Sequence, residues 1–343
     1  WLAAYRKGPD PFRAFSHVGR RSDLMKNQLL RLVVRRLGLG ILTLIAISLL
    51  ITIGVEALSG DVCTAMMGQM ASDDKVAACH RALNLDRPVH VRYLEWLVNF
   101  AQGDMGKALT NNYEVAEIIG NRIGNTFFLA ASAALVAVPI SLILGVLAAL
   151  YRNSFFDRSI SMITLSGVSV PDFFIAYILM AIFAVSYGFF PAISNIDETM
   201  TLAERINASA LPVLTLTLAV SAHMMRMTRA SIVSLMASPY IEMAKLKGIR
   251  PGRIIVFHAL PNAWSPIIQV IMLNLAWLVV GVVIVEVVFV YPGLGALMID
   301  AVFLRDLPTV RATAMIFALV YVILNLLADI LSLMSNPRLM HPK

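Results

Sequence analysis

The chain has 343 residues, of which 59% are hydrophobic and 14% charged, with a formal net charge of +7 and a mean hydropathy of +0.77. A water-soluble domain carries about 25% charged residues, so a bilayer is the expected solvent for much of this surface. The basic residues stand beside apolar runs without interleaved aromatics, which excludes nucleic acid as a partner and fits the orientation rule for loops that flank membrane spans.

Residues 1–24 are polar and basic, broken by Gly8, Pro9 and Pro11, and read as a cytoplasmic N-terminal extension, native or appended, ahead of Met25. Residues 25–58 contain the first of six apolar runs long enough to span. The six are Leu37 to Leu58, Thr126 to Leu150, Ser159 to Tyr187, Leu211 to Leu235, Pro266 to Val290 and Ala312 to Met334. The first is too long for a signal-peptide core and no small-residue cleavage site follows, so it is read as retained. The fold class expected is therefore an all-α membrane protein.

Residues 59–125 form a polar external segment, and residues 126–343 a core with the other five spans. In the external segment Cys63 and Cys79 are either a disulfide, if that side is oxidising, or two unrelated thiols. Val89 to Phe100 has helical spacing. Asp86 is expected to cap that helix with Pro88 in its first turn. Gly103, Gly106, Asn111 and Asn112 mark turns.

Charge sets the orientation. Arg31, Arg35 and Arg36 precede the first span, Arg152 and Arg158 outweigh Asp157, and Lys245, Lys247, Arg250 and Arg253 face Glu242 alone. Arg338 and Lys343 follow the last span. The opposite loops are acidic or balanced: Arg205 against Asp197, Glu198 and Glu204, then Arg305 against Asp300 and Asp306. The positive-inside rule places both termini in the cytoplasm.

The basic loop 238–261 has its own architecture. Ser238-Pro239 is a helix start, with Ser as cap and Pro in the first position. Tyr240 to Lys247 contains no breaker, and Gly248 supplies a stop that tolerates positive φ. Arg250-Pro251-Gly252 then turns the chain. Lys245 and Lys247 sit where the helix dipole favours cations. A short helix held between two spans transmits force where a flexible loop does not.

Glu242-Met243-Ala244, Gly248 and the closing Leu260-Pro261 resemble the glutamate-alanine-alanine loop of bacterial binding-protein-dependent importers, with Met243 in place of the first alanine and His258 ahead of Ala259. Further stretches are similar to the first permease subunit of the peptide and nickel branch. They include Leu83 to Pro88, Arg92-Tyr93-Leu94, Gly103 to Gly106, Arg122 with Asn125-Thr126, Glu286 with Phe289, Tyr291 to Gly295, and Asn336-Pro337-Arg338. The resemblance implies a type I ABC importer permease fold with six transmembrane helices. Tyr240, Glu242, Met243, Ala244, Lys245, Lys247 and Gly248 would form the cytoplasmic coupling helix, closed by His258, Leu260 and Pro261.

It further implies a subunit of the bacterial inner membrane, paired with a second homologous permease, two ATPase subunits and a periplasmic solute-binding protein, and passing di- or oligopeptides. A nickel-chelate, opine or other small solute is the alternative within the branch. ATP and Mg would be bound by the ATPase subunits, with no cofactor in this chain. In agreement, the sequence has no G-x-x-x-x-G-K-[ST] loop; Gly106-Lys107 is followed by Ala108. A secondary transporter, the reading outside the class, would show paired repeats, and none is visible. A membrane-embedded enzyme would need a nucleophile or metal constellation; His80, His223 and His258 are scattered, and no metal or catalytic site is expected.

Ionisable residues at membrane depth each need a reason, since a charge there costs about 2.5–3.5 kcal/mol on insertion scales. Asp172 either lines the path and attracts a cationic group or caps a helix restarted after Pro171. Glu286 either anchors the Tyr291-Pro292-Gly293 turn or gates the outer mouth. Arg226 and Arg229 are candidates to pair with Asp329, unless Arg229 snorkels to the interface.

Overall fold

Nearly every apolar run is paired with another, because a helix satisfies its own backbone in hydrocarbon and only its side chains remain to be packed. The computed structural model describes residues 11–57, 62–68, 71–83, 85–197 and 199–335, with side chains from residue 30 onward except at 65 and 66. Residues 1–10 of the N-terminal segment, Asn84, Glu198 and the closing stretch with Asn336-Pro337-Arg338 and Lys343 lie outside them.

Helix α1 (Pro11–Glu56) carries the first span. At its far end α2 (Val62–Met67) and α3 (Asp73–Ala82) are joined by a Cys63–Cys79 disulfide with Cα atoms 6.0 Å apart. Then α4 (Val89–Ala101) packs Tyr93 and Trp96 on Met315. Its N-cap is Pro88, not Asp86, and Asp86 falls in the preceding turn. The turn residues after it take positive φ at Gly103, Gly106 and Asn112.

Helix α5 (Val115–Leu150) starts eleven residues before the span that begins at Thr126 by hydropathy. The added turns are polar outside, yet Val115 and Ile119 are buried against Leu294, Leu297 and Ala312. Tertiary packing, which hydropathy does not see, extends the helix. The third span is the largest departure. It is two helices, α6 (Phe155–Ser169) and α7 (Asp172–Leu179, continued by a π-helical turn Met180–Ser186), bent by 105°. Pro171 disfavours helical φ/ψ at Val170, which is extended at φ −97° and ψ 128°. With that pair counted as one span, the described residues hold six spans; otherwise five.

A capping box of Thr201 and Glu204 opens α8 (Leu202–Ala208), which leads into α9 (Ala210–Met236). Next come α10 (Pro239–Leu246), and α11 (Pro251–Ile254), which runs through a π-helical turn Ile255–Ala259 into α12 (Leu260–Val288). The last two are α13 (Leu294–Phe303) and α14 (Leu307–Ser335). Alternation of the spans puts α10 and the α5–α6 turn at one end, called here the Ser238 end. The α2–α4 segment, α8 and α13 lie at the other, the Tyr291 end.

The centre is the α5, α9 and α12 triad, built on Leu129, Ala133, Leu216, Val220, Val282 and Phe289. Close approach of α5 and α9 depends on Gly145, where an added Cβ would lie 2.9 Å from Thr228 Cβ and 3.0 Å from the Met225 carbonyl oxygen. Such small-residue contacts drive helix association where lipid supplies no hydrophobic effect. Gly145→Val is expected to lower stability by about 1–3 kcal/mol through overpacking. Gly120→Val, at a position with open space, should differ little; thermal unfolding of the purified protein in detergent compares the two.

Candidate functional site

Loop 238–250 is a built element. Ser238 occupies the N-cap position with extended backbone, but its hydroxyl turns back to donate to the Leu235 carbonyl, so the side-chain cap expected from the sequence is not made. Pro239 opens α10 at a position whose N–H would be unpaired in any case. At the other end Gly248 takes φ +73°. Gly248 N–H donates to Lys245 O at 2.9 Å, and Ile249 N–H to Ala244 O at 3.3 Å. That pair of bonds is a Schellman stop, and Ile249 completes its hydrophobic contact by joining the cluster of Ile241, Ala244, Ile254 and Ala259.

One face of α10 is thereby fixed to α11, and the other is apolar and bare. Tyr240, Met243 and Leu246 are 38%, 56% and 78% exposed. Met243 is thus explained: the position that requires a small side chain is the inward one, held by Ala244. Glu242 lies in the first turn, and Lys245 in the last, where Nζ reaches Met236 O at 3.4 Å. Beyond Lys247 and Gly248 the chain re-enters the bundle through the π-helical turn. Pro261 has no N–H for the Phe257 carbonyl, so the ladder slips, and Asn262 Nδ2 donates to His258 O at 2.8 Å. His258 is half-buried, and Leu260 and Pro261 start α12.

At the Tyr291 end Glu286 is fully buried, 0% exposed. Its Oε1 accepts from Thr126 Oγ1 at 2.6 Å, and Oε2 from the N–H groups of Gly295 at 2.7 Å and Ala296 at 3.1 Å. Leu294 N–H donates to the same Thr126 hydroxyl at 2.8 Å. The first three N–H groups of α13 are therefore capped from other helices, with the carboxylate at the positive end of the dipole. Gly293 is the N-cap, and a Cβ there would fall on the Glu286 carboxylate; the borrowed cap occupies the place of a side chain. Asn125 continues the corner, donating to Pro292 O at 2.9 Å and accepting from Arg205 at 2.8 Å. Tyr291 OH donates to Asn125 O at 3.0 Å, and burial pushes its pKa up, keeping it a donor.

Between the ends, the bend of the third span leaves a cavity of about 420 Å³ lined by Asp172, His223, Asn274, Trp277 and Tyr321. Asp172 sits in the first turn of α7, one residue after the Pro171 N-cap, and so faces this cavity without being the cap.

Comparison with known proteins fits these features. Residues 141–341 match the model of the binding-protein-dependent transport system inner membrane component family, and residues 29–130 match the N-terminal model of such components. The chain belongs to this permease family. It is 33% identical over 310 residues to the glutathione transport system permease protein GsiC of Escherichia coli (strain K12), covering 90% of this chain and 98% of that one. The Salmonella typhimurium GsiC has the same identity and coverage. The di/tripeptide transport system permease protein DppB of Pseudomonas aeruginosa is 32% identical over 337 residues, covering 92% and 100%. In fold it is similar to a solved structure of the inward-facing MetNI methionine ABC transporter, at TM-score 0.52 and 17% identity, covering 64% of this chain and 96% of that one. The chain is a multi-pass ABC importer permease of the type I fold.

The permease pairs its membrane charges differently from the sequence expectation. Arg229 does not meet Asp329. Its Nε and Nη2 both donate to Asp157 at the start of α6, the second bond at 2.8 Å. Asp329 instead lies 2.6 Å from Arg36 of α1, and Arg226 is exposed with no ion pair among the described residues. In the sequence Asp157 stands only as loop charge and Arg36 only as a mark of orientation. Arg311 gives no signal there, because it borders an apolar run. Arg311 is 3% exposed, with Nε on Thr52 Oγ1 at 2.9 Å and its guanidinium 5.3 Å from the Trp96 ring.

Two outcomes follow. A double-mutant cycle of Asp157→Asn and Arg229→Gln should give a coupling of about 1–3 kcal/mol, while Arg229→Gln with Asp329→Asn should be additive; thermal unfolding in detergent reads both. Glu286→Ala leaves buried α13 amides unpaired and should cost about 2–4 kcal/mol. Glu286→Gln, which still accepts from Gly295 and Ala296, should lose less by the same assay.

Proposed function

We propose that this permease forms half of the translocation path for di- or oligopeptides and is driven through α10 by separate ATPase subunits. Its partners are a second homologous permease, two ATPases and a periplasmic solute-binding protein, with ATP and Mg on the ATPases. The single observation that carries this reading is α10 itself. It is a two-turn helix fixed on one face by Ile241, Ala244 and Ile254, stopped by Gly248, and bare on the other at Tyr240, Met243 and Leu246. An exposed apolar patch with a rigid backing is what a docking surface requires.

The Ser238 end is read as cytoplasmic, with both termini there, because it carries Lys245, Lys247, Arg250 and Arg253. A disulfide between Cys63 and Cys79 at the opposite end supports an oxidising compartment on that side. Peptides are the favoured solute because the glutathione and di/tripeptide permeases cover almost the whole chain. In mechanism, ATP closes the ATPase pair, α10 moves with it, and the bundle changes from inward- to outward-facing. Hydrolysis and product release reset it.

Leu246→Asp puts a charge on the bare face without touching the cluster beneath. It should reduce ATP-driven peptide uptake in proteoliposomes by roughly tenfold or more, as loss of a central interface residue does, and release the ATPase on purification. Thermal stability of the permease should change by less than about 0.5 kcal/mol. Unchanged uptake, or uptake without ATP, would contradict the proposal.

A further inference from the structure

The cavity at the bend of the third span has a chemistry that its packing does not require. Pro171 parts α6 from α7, and Gly167 lets α6 approach α9 so closely that an added Cβ would lie 3.0 Å from Ala222 Cβ. The space left between α6, α7, α9, α12 and α14 is mostly apolar, with Val168, Val220, Leu273 and Trp277 on its walls. Into it come Asp172 and the His223–Asn274 pair. Asp172 makes no side-chain hydrogen bond or ion pair among the described residues. Beyond the α7 dipole that favours an acid in the first turn, a carboxylate at membrane depth without a side-chain partner is a candidate to receive a cation.

The histidine adds a second acceptor. Asn274 is 4% exposed, and its Nδ2 donates to Val270 O at 2.6 Å, which fixes the amide orientation. Oδ1 therefore faces His223 Nδ1, 3.1 Å away. Two acceptors do not bond, so Nδ1 carries the proton, and in the neutral ring Nε2 keeps its lone pair. The buried amide sets the tautomer, so that a carboxylate, an imidazole nitrogen and the Tyr321 hydroxyl are side-chain acceptors on the cavity wall. Arg226, one turn beyond His223 on α9, is exposed and does not line it.

We infer that this cavity is a primary-ammonium site, with Asp172 as counter-ion, His223 Nε2 as second acceptor, and Trp277 as an apolar and aromatic wall. A peptide amino terminus is the group it takes during transport. The peptide assignment rests on the function proposed above, whereas the ammonium chemistry rests on the cavity alone. An ammonium group has three donors and no acceptor, and an aromatic face adds a cation–π contribution. Asp172 and Asn274 have distinct duties: the first meets the ligand, and the second positions His223.

The test uses the assembled transporter in nanodiscs, titrated with n-butylammonium and, separately, with neutral n-butanol of similar size. Trp277 lines the cavity and is the reporter, with Trp277→Phe identifying its share of the fluorescence. Butylammonium should saturate and butanol should not compete. Asp172→Asn should weaken butylammonium by roughly tenfold or more, the size expected for a hydrogen bond to a charged group. Asp172→Glu should retain binding. His223→Gln, which keeps an acceptor near the Nε2 position, should bind better than His223→Ala.

A parallel arm measures ATP-driven uptake of alanylalanine and its N-acetyl form by the wild type and by Asp172→Asn. The free peptide should lose its advantage in the variant. If butylammonium binds equally to wild type and Asp172→Asn, or if butanol competes on equal terms, the cavity is only an apolar gap and the site is overturned, whatever the uptake result. If butylammonium behaves as expected but the wild type takes up no alanylalanine, the peptide assignment falls and the cation site stands.

Discussion

Glu286 is a carboxylate buried at the end of a membrane-spanning helix, and the groups that satisfy it come from two other parts of the chain. A charge there without partners would be severely destabilising, since hydrocarbon offers no water to replace a missing donor. Thr126 of α5 and the first amides of α13 supply the donors, and so one side chain fixes the relative position of three helices. Gly293 and Gly295 are glycines because the carboxylate and the α12 backbone at Val283 occupy the space of their side chains. The corner from Tyr291 to Ala296 is thus a consequence of one buried acid.

From that corner α12 runs as one continuous helix of 29 residues, with Pro266 inside it, to the π-helical turn and α11, on which α10 is seated. Its length, about 43 Å at 1.5 Å per residue, exceeds the hydrocarbon thickness of about 30 Å. The helix is clamped at one end by Glu286 and at the other by the Ile241 and Ile254 cluster. Under the proposed function, α12 is the continuous element that connects the α10 seat to the far corner. The bent third span is the opposite kind of element, interrupted by Pro171 and flanked by a cavity.

Legibility in the sequence followed the range of the interaction responsible. The α10 stop was readable because Gly248 acts within its own turn, and the start was placed by Ser238-Pro239, although the Ser238 hydroxyl chose the preceding carbonyl over the helix amides. Helix content and the number of apolar runs were readable from hydropathy. What depended on distant residues was not. The α5 start moved to Val115 because Leu294 and Leu297 cover it. Arg229 found Asp157 across 72 residues, and Asp329 found Arg36, a pairing that depth along each helix did not distinguish from the expected one. Met243 illustrates the same limit: its substitution looked anomalous in sequence and is ordinary once the helix face is known.

The central claim is that the bare face of α10 is where an ATPase docks. The direct measurement places a photo-crosslinking amino acid at position 246, with the same amino acid at the also exposed Leu202 of α8 as the opposite-end control. The transporter is irradiated in the membrane and the adducts identified by mass. The account predicts an adduct with the ATPase subunit from position 246 and none from position 202. Adducts to lipid alone at position 246, or an ATPase adduct from position 202, would contradict it.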